Sequence, residues 1–146
     1  MPDKETLERA EEDKQEGKSP STQAGEFVRE EIEHIREGKH GARSAKQAIA
    51  IGLSKARRAG VKLPAPKKAS KETKEQAARD ARKGRSTGKA KASAKRSRAA
   101  SKALKREGRS AASKLALSRH ARSSAAKRSA ASRSRSAKKA AATRKK

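Results

Sequence analysis

The sequence predicts a mostly disordered, all-α chain in which one small two-helix hairpin, at about residues 23–37 and 45–59, stands without a large core. Three observations lead there. Of the 45 apolar residues 31 are alanine and only 13 are large aliphatic or aromatic side chains, too few to offset backbone ordering at roughly 1–2 kcal/mol per residue. A formal charge of +26 over 146 residues adds the second compositional mark of disorder. Helical period, caps and stops agree with one another only between residues 21 and 62.

Taken in order, residues 1–20 read as an acidic polar helix or disordered arm. Asp3 or Thr6 caps it, Glu5 and Arg9 pair at i,i+4, and Gly17 stops it. Between Asp3 and Gly17 only Leu7 and Ala10 are apolar, so fraying is expected. Residues 21–62 form the hairpin. Phe27, Ala24, Ile35, Val28, Ile32 and Gly25 share one arc of the first helix, opposite Arg29, Glu33, Glu26, Glu37, Glu30 and His34. Gly38 and Gly41 break it. Ser44 with Gln47 begins a capping box, and Ala45, Ala48, Ile49, Gly52, Leu53, Ala56 and Ala59 line the second helix. The small column Ala48, Gly52, Ala56 lets the Phe27, Ile32, Ile35 face come close. Gly60 sits at a left-handed C′ position with Val61 against Ala56. Residues 63–84 read as a Pro/Lys linker with a short helix, capped by Ser70 or Thr73 and ended by Gly84. Residues 85–146 read as a basic low-complexity tail of Ala, Ser, Lys and Arg, disordered until bound and partly helical afterwards.

Charge divides the chain more sharply than hydrophobicity does. Residues 1–42 are net −5, residues 43–80 net +8, and residues 81–146 net +23 with Glu107 their only acid. Such a density of cations points to a polyanion. Duplex DNA carries one charge per roughly 1.7 Å, and neutralising its phosphates releases counterions without any need for fixed geometry. The expected contacts are Arg43, Lys46, Lys55, Arg57, Arg58 and Lys62 on the hairpin, and Lys67 and Lys68 in the linker. In the tail they are Lys95, Arg96, Arg98, Lys102, Lys105 and Arg106, then Lys114, Arg119 and Arg122, then Lys127, Arg128, Arg133, Arg135, Lys138 and Lys139. One Phe and no Tyr or Trp leave no stacking platform for single-stranded RNA, which favours duplex DNA.

Other chemistries find no residues. The absence of Cys removes disulfides, thiolate metal sites and cysteine nucleophiles. His34, His40 and His120 have no zinc-like spacing and read as solvated, so no metal is expected. Glu30, Glu31 and Glu33 read as a charged face that salt-bridges within the hairpin, not as acid/base catalysts. Gly38-Lys39-His40-Gly41 lacks the Gly-Lys-Ser/Thr ending of a phosphate loop. No catalytic residue and no cofactor is expected, and the protein is not read as an enzyme. The acidic N-terminus is not a signal peptide, no membrane span is long enough, and a cytoplasmic, nucleoid-associated setting follows.

Two resemblances accompany these readings. Pro64-Ala65-Pro66-Lys67-Lys68-Ala69, leading into Ala/Lys/Ser/Arg sequence, resembles linker-histone C-terminal tails and their bacterial histone-like counterparts, without any winged-helix core. Ser44-x-Lys46-Gln47-Ala48-Ile49-Ala50-Ile51-Gly52-Leu53-Ser54-x-Ala56 is similar to the centre of a small, basic bacterial domain of uncharacterised function, which implies no catalytic residue. The expected function is therefore non-specific, non-enzymatic DNA binding through the tail. The alternatives are an RNA- or ribosome-associated basic protein, and an adaptor whose hairpin binds a protein partner or a second copy.

Overall fold

The computed structural model describes residues 1–86 and 93–144, and residues 87–92 and 145–146 of the expected tail lie outside them. Its elements are α1 (Lys4–Gln15), α2 (Pro20–Arg36), α3 (Ala45–Arg58), α4 (Lys71–Arg85), α5 (Ala94–Arg106), a 3-10 turn (Ser110–Ala112), α6 (Lys114–Ala126) and α7 (Ala130–Arg144). The expectation of a mostly disordered chain with one hairpin is overturned: seven helices account for most of the described residues, and no strand occurs among them.

α2 is the central helix. Ser19 precedes it and Pro20 occupies its first turn, where a missing N–H costs nothing, so it starts earlier than its apolar period suggests. α1 packs antiparallel on one side of it, with Ala10 beside Ala24 and Phe27, and Thr6 and Asp13 also buried. Small and polar side chains thus make the contact that docks α1. α3 packs antiparallel on another side, Ala56 lying near Phe27 and Ala48 near Ile32 and Ile35. Between them a Cβ on Gly52 would come within 2.7 Å of the Val28 Cα, so the two backbones touch where the small column predicts. Ser44 accepts from the Gln47 N–H at 3.2 Å, and the Gln47 side chain accepts from the Arg43 N–H at 2.7 Å. At the far end Gly60 takes φ +101, and the Val61 N–H returns to the Ala56 carbonyl at 3.1 Å, which closes a Schellman motif.

The linker 59–70 runs back along α3, so that α4 lies beside it in the same sense. Asp80 meets Ser54 and Arg58, and Gly84 meets the backbone of Arg57 and Gly60. Gly84 was expected to end this helix. It lies inside it instead, as a point of backbone contact: a Cβ there would sit 2.1 Å from the Arg57 carbonyl oxygen.

The second correction concerns the tail. Ala111 and Ala112, buried in the 3-10 turn, join Ile32, Ile35, Ala42 and Ala48 in one apolar cluster, with Val28 and Leu117 packed against it. Arg36 donates to the Ala112 carbonyl at 3.0 Å. The loop 38–43 is pinned by the last turn of α5 and the segment after it, because the Gly41 and Ala42 N–H groups donate to the carbonyls of Leu104 (2.9 Å) and Gly108 (3.0 Å). The low-complexity half therefore supplies part of the core. α5 and α7 bury no residue and extend from that core as exposed helices.

Candidate nucleic-acid interface

Each cation's exposure follows from the helix that carries it and the carboxylates within its reach. In the N-terminal half most charges are spent internally. Lys55 sits 3.1 Å from Glu30 Oε1 and 2.7 Å from Glu31 Oε2. Burial alone would depress its pKa, but these two carboxylates raise it above the ordinary 10.5. Arg57 is buried and donates through Nε to the Leu63 carbonyl (3.2 Å) and through a terminal nitrogen to that of Pro64 (3.3 Å), fastening the linker to α3. Half-exposed Arg58 lies 2.7 Å from buried Asp80. Burial would raise the Asp80 pKa, yet hydrogen bonds from Ser54, Arg58 and Gln76 outweigh it and hold the carboxyl below 3.8. Of the hairpin and linker contacts expected from sequence, Lys55 and Arg57 are thus turned inward and Arg58 is engaged. Arg43 is exposed although 3.5 Å from Glu107, and Lys46, Lys62, Lys67 and Lys68 face solvent.

The C-terminal half behaves oppositely. Lys95, Arg96, Arg98, Lys102, Lys105 and Arg106 on α5 are exposed, as are Lys114, Arg119 and Arg122 on α6. Exposed too are Lys127 and Arg128 at the α6–α7 junction, and Arg133, Arg135, Lys138 and Lys139 on α7. Among the described residues no Lys or Arg of 93–144 lies within ion-pair distance of a carboxylate. On α5, Lys95, Arg98, Lys102, Lys105 and Arg106 share an arc of about 100°, opposite Leu104. That is a stripe about 16 Å long at a rise of 1.5 Å per residue. Cations on α7 are spread around its axis. Leu115, 60% exposed, is the one large apolar side chain that α6 offers to solvent.

A second cluster differs from what the sequence suggests. His34 and His40, expected to be solvated, are largely covered, their side chains 13% and 17% exposed. Their rings meet edge to face with centroids 6.2 Å apart. Glu30 and Glu31, expected as a charged face that salt-bridges within the hairpin, do pair with Lys55 across it but are buried. Burial would raise the Glu30 pKa, but the Asp3 N–H, Lys55 and Thr6 hydrogen-bond to its carboxylate and hold it below 4.5. The signal available in the sequence was the pair Glu31-x-x-His34, which shares a helix face. His40 reaches that face only through the loop after Gly38.

Residues 14–68 match the model of a family described only as of unknown function (DUF6496), a stretch that begins in the last turn of α1, takes in α2 and α3, and ends before the basic helices. No curated protein and no solved structure matches the chain. A histone-like character thus has no support, and that part of the expectation falls with the disordered tail. Among the described residues no helix is long and apolar enough to cross a membrane.

Proposed function

We propose that the protein is a non-enzymatic binder of duplex DNA that grips the phosphate backbone with cations carried on preformed helices, the α5 stripe foremost. The observation that supports this reading is the uncompensated charge of the C-terminal helices. Residues 81–146 carry a net +23, and the cations described on α5, α6 and α7 face solvent, whereas Lys55, Arg57 and Arg58 are engaged within the core. Self-repulsion of that size destabilises a compact state, and a polyanion relieves it. Rigid helices limit the number of phosphates reached at once, but they lower the ordering cost of each contact. Arg43, Lys46, Lys62, Lys67 and Lys68 extend the surface, and Lys55 and Arg57 are reserved for the fold. A nucleoid location would follow from DNA binding of this kind.

The test is competition between duplex DNA and RNA of equal length for the full chain, freed of copurifying nucleic acid, at about 150 mM salt, where screening has removed long-range attraction. Preferential retention of duplex DNA is expected. Stronger binding to RNA would assign the surface to RNA instead.

A further inference from the structure

We infer that Glu31, His34 and His40 form a binding site for a divalent transition-metal ion, with Zn2+ the natural probe. Their ligand atoms all lie within 4.8 Å of one another, and His40 Nε2 is already 3.2 Å from Glu31 Oε1, about the separation of two donors on one tetrahedral zinc at 2.0–2.1 Å. The second observation is Glu31 itself. It is 1% exposed, its Oε2 is paired with Lys55 at 2.7 Å, and its Oε1 makes no hydrogen bond. His40 Nε2 stands 3.2 Å from that Oε1. Lys55 supplies one cation on the Oε2 side, and Oε1, which faces only the His40 ring, is the oxygen left for a second.

The imidazoles are oriented as ligating histidines are. A ligating histidine donates its other ring N–H to a carboxylate or backbone carbonyl. Here His34 Nε2 lies 3.1 Å from Asp3 Oδ2, and His40 Nδ1 lies 3.1 Å from the Gly41 carbonyl. With those nitrogens donating, the lone pairs sit on His34 Nδ1 and His40 Nε2, the latter aimed at Glu31. Charge agrees. Asp3, Glu30 and Glu31 face Lys55, with Lys39 acting on Asp3 and Glu30 from its pair with Glu37, so with neutral imidazoles the cluster stays acidic and favours a bound cation. Two nitrogens and one oxygen suit zinc or a similar borderline ion, not calcium or magnesium, which take oxygen donors. Such an ion would join α2 to the 38–43 loop, the seat of the segment after α5.

Isothermal titration of the full, untagged, metal-stripped chain with Zn2+ tests this, with Co2+ absorption reporting coordination. The expected result is one ion per chain at micromolar affinity or tighter, with visible Co2+ bands of a four-coordinate nitrogen/oxygen site. Asp3→Asn is expected to weaken binding about 10- to 100-fold, as for other groups that orient a ligating imidazole. His40→Ala is expected to weaken it further, and His120→Ala, on α6, to leave it unchanged. Should Glu31→Gln fail to fold, His40→Ala decides, because its side chain lies in a loop outside both apolar clusters. A folded wild-type chain that takes up no Zn2+, its histidines serving as carboxylate partners alone, overturns the assignment. So does undiminished binding by a folded His40→Ala chain.

Discussion

Gly52 and Asp80 show how much of this fold is decided by single side chains of modest size. Replacing glycine by alanine inside a helix ordinarily gains about 0.5–1 kcal/mol. At Gly52 the new methyl would meet the Val28 Cα at 2.7 Å, and overpacking costs about 1–3 kcal/mol. Gly52→Ala is therefore expected to lower the thermal midpoint; a rise would mean that α2 and α3 are not in backbone contact. Asp80 joins α4 to α3 through Ser54 and Arg58. Its folded pKa lies below 3.8, so it contributes stability above about pH 4, and that contribution is lost as pH falls through the folded value. Lys55 acts in the opposite sense: its folded pKa lies above 10.5, so its contribution is complete below that pH and is lost at higher pH. Asp80→Asn is expected to cost about 1–2 kcal/mol near neutrality and to flatten the acid limb of stability against pH. Acid unfolding identical to that of the wild type would show that Asp80 bears no such load.

At the scale of elements, α2 and α3 were legible because period, cap and stop coincide at Ser44, Gln47, Gly52 and Gly60. The docking of α1, the 3-10 turn and α6 was not. Ala10, Ala111 and Ala112 become core only because helices bearing small residues approach closely, and in sequence these alanines cannot be told from the exposed ones of α5 and α7. Counting large apolar side chains therefore undercounts a core built on alanine and backbone contact. The buried Glu31 and the largely covered His34 and His40 were missed for a related reason: the loop that brings His40 back to α2 has no period. Ala112→Asp, which places a charge against Ile32, Ile35 and Ala48, is expected to release the 3-10 turn and α6, whereas Ala100→Asp on exposed α5 leaves the core intact. Cleavage by a glutamate-specific protease at Glu107, the single acid of residues 81–146, reads the difference. Fast cleavage is expected in the first variant and slow cleavage in the wild type and the second. Equal rates would mean that the 3-10 turn is not docked.

For the whole molecule, packing and charge are segregated: a self-neutralised helical core carries cationic helices that it partly needs for its own stability. Truncation after Gly84 is thus expected to lower both DNA affinity and the melting temperature of what remains, since Ala111, Ala112 and Leu117 leave the apolar cluster. Loss of affinity with an unchanged melting temperature would describe a merely appended tail. The most direct measurement is the salt dependence of duplex-DNA affinity in the full chain, compared with a variant in which Lys95, Arg98, Lys102, Lys105 and Arg106 are all glutamine. Each phosphate neutralised adds about −0.9 to the slope of log K against log salt. A steep, linear wild-type dependence is expected, reduced by about 3–4 in the glutamine variant and unchanged in a folded Arg57→Gln chain. A slope that survives loss of the α5 stripe, or one that collapses with Arg57 alone, would contradict it.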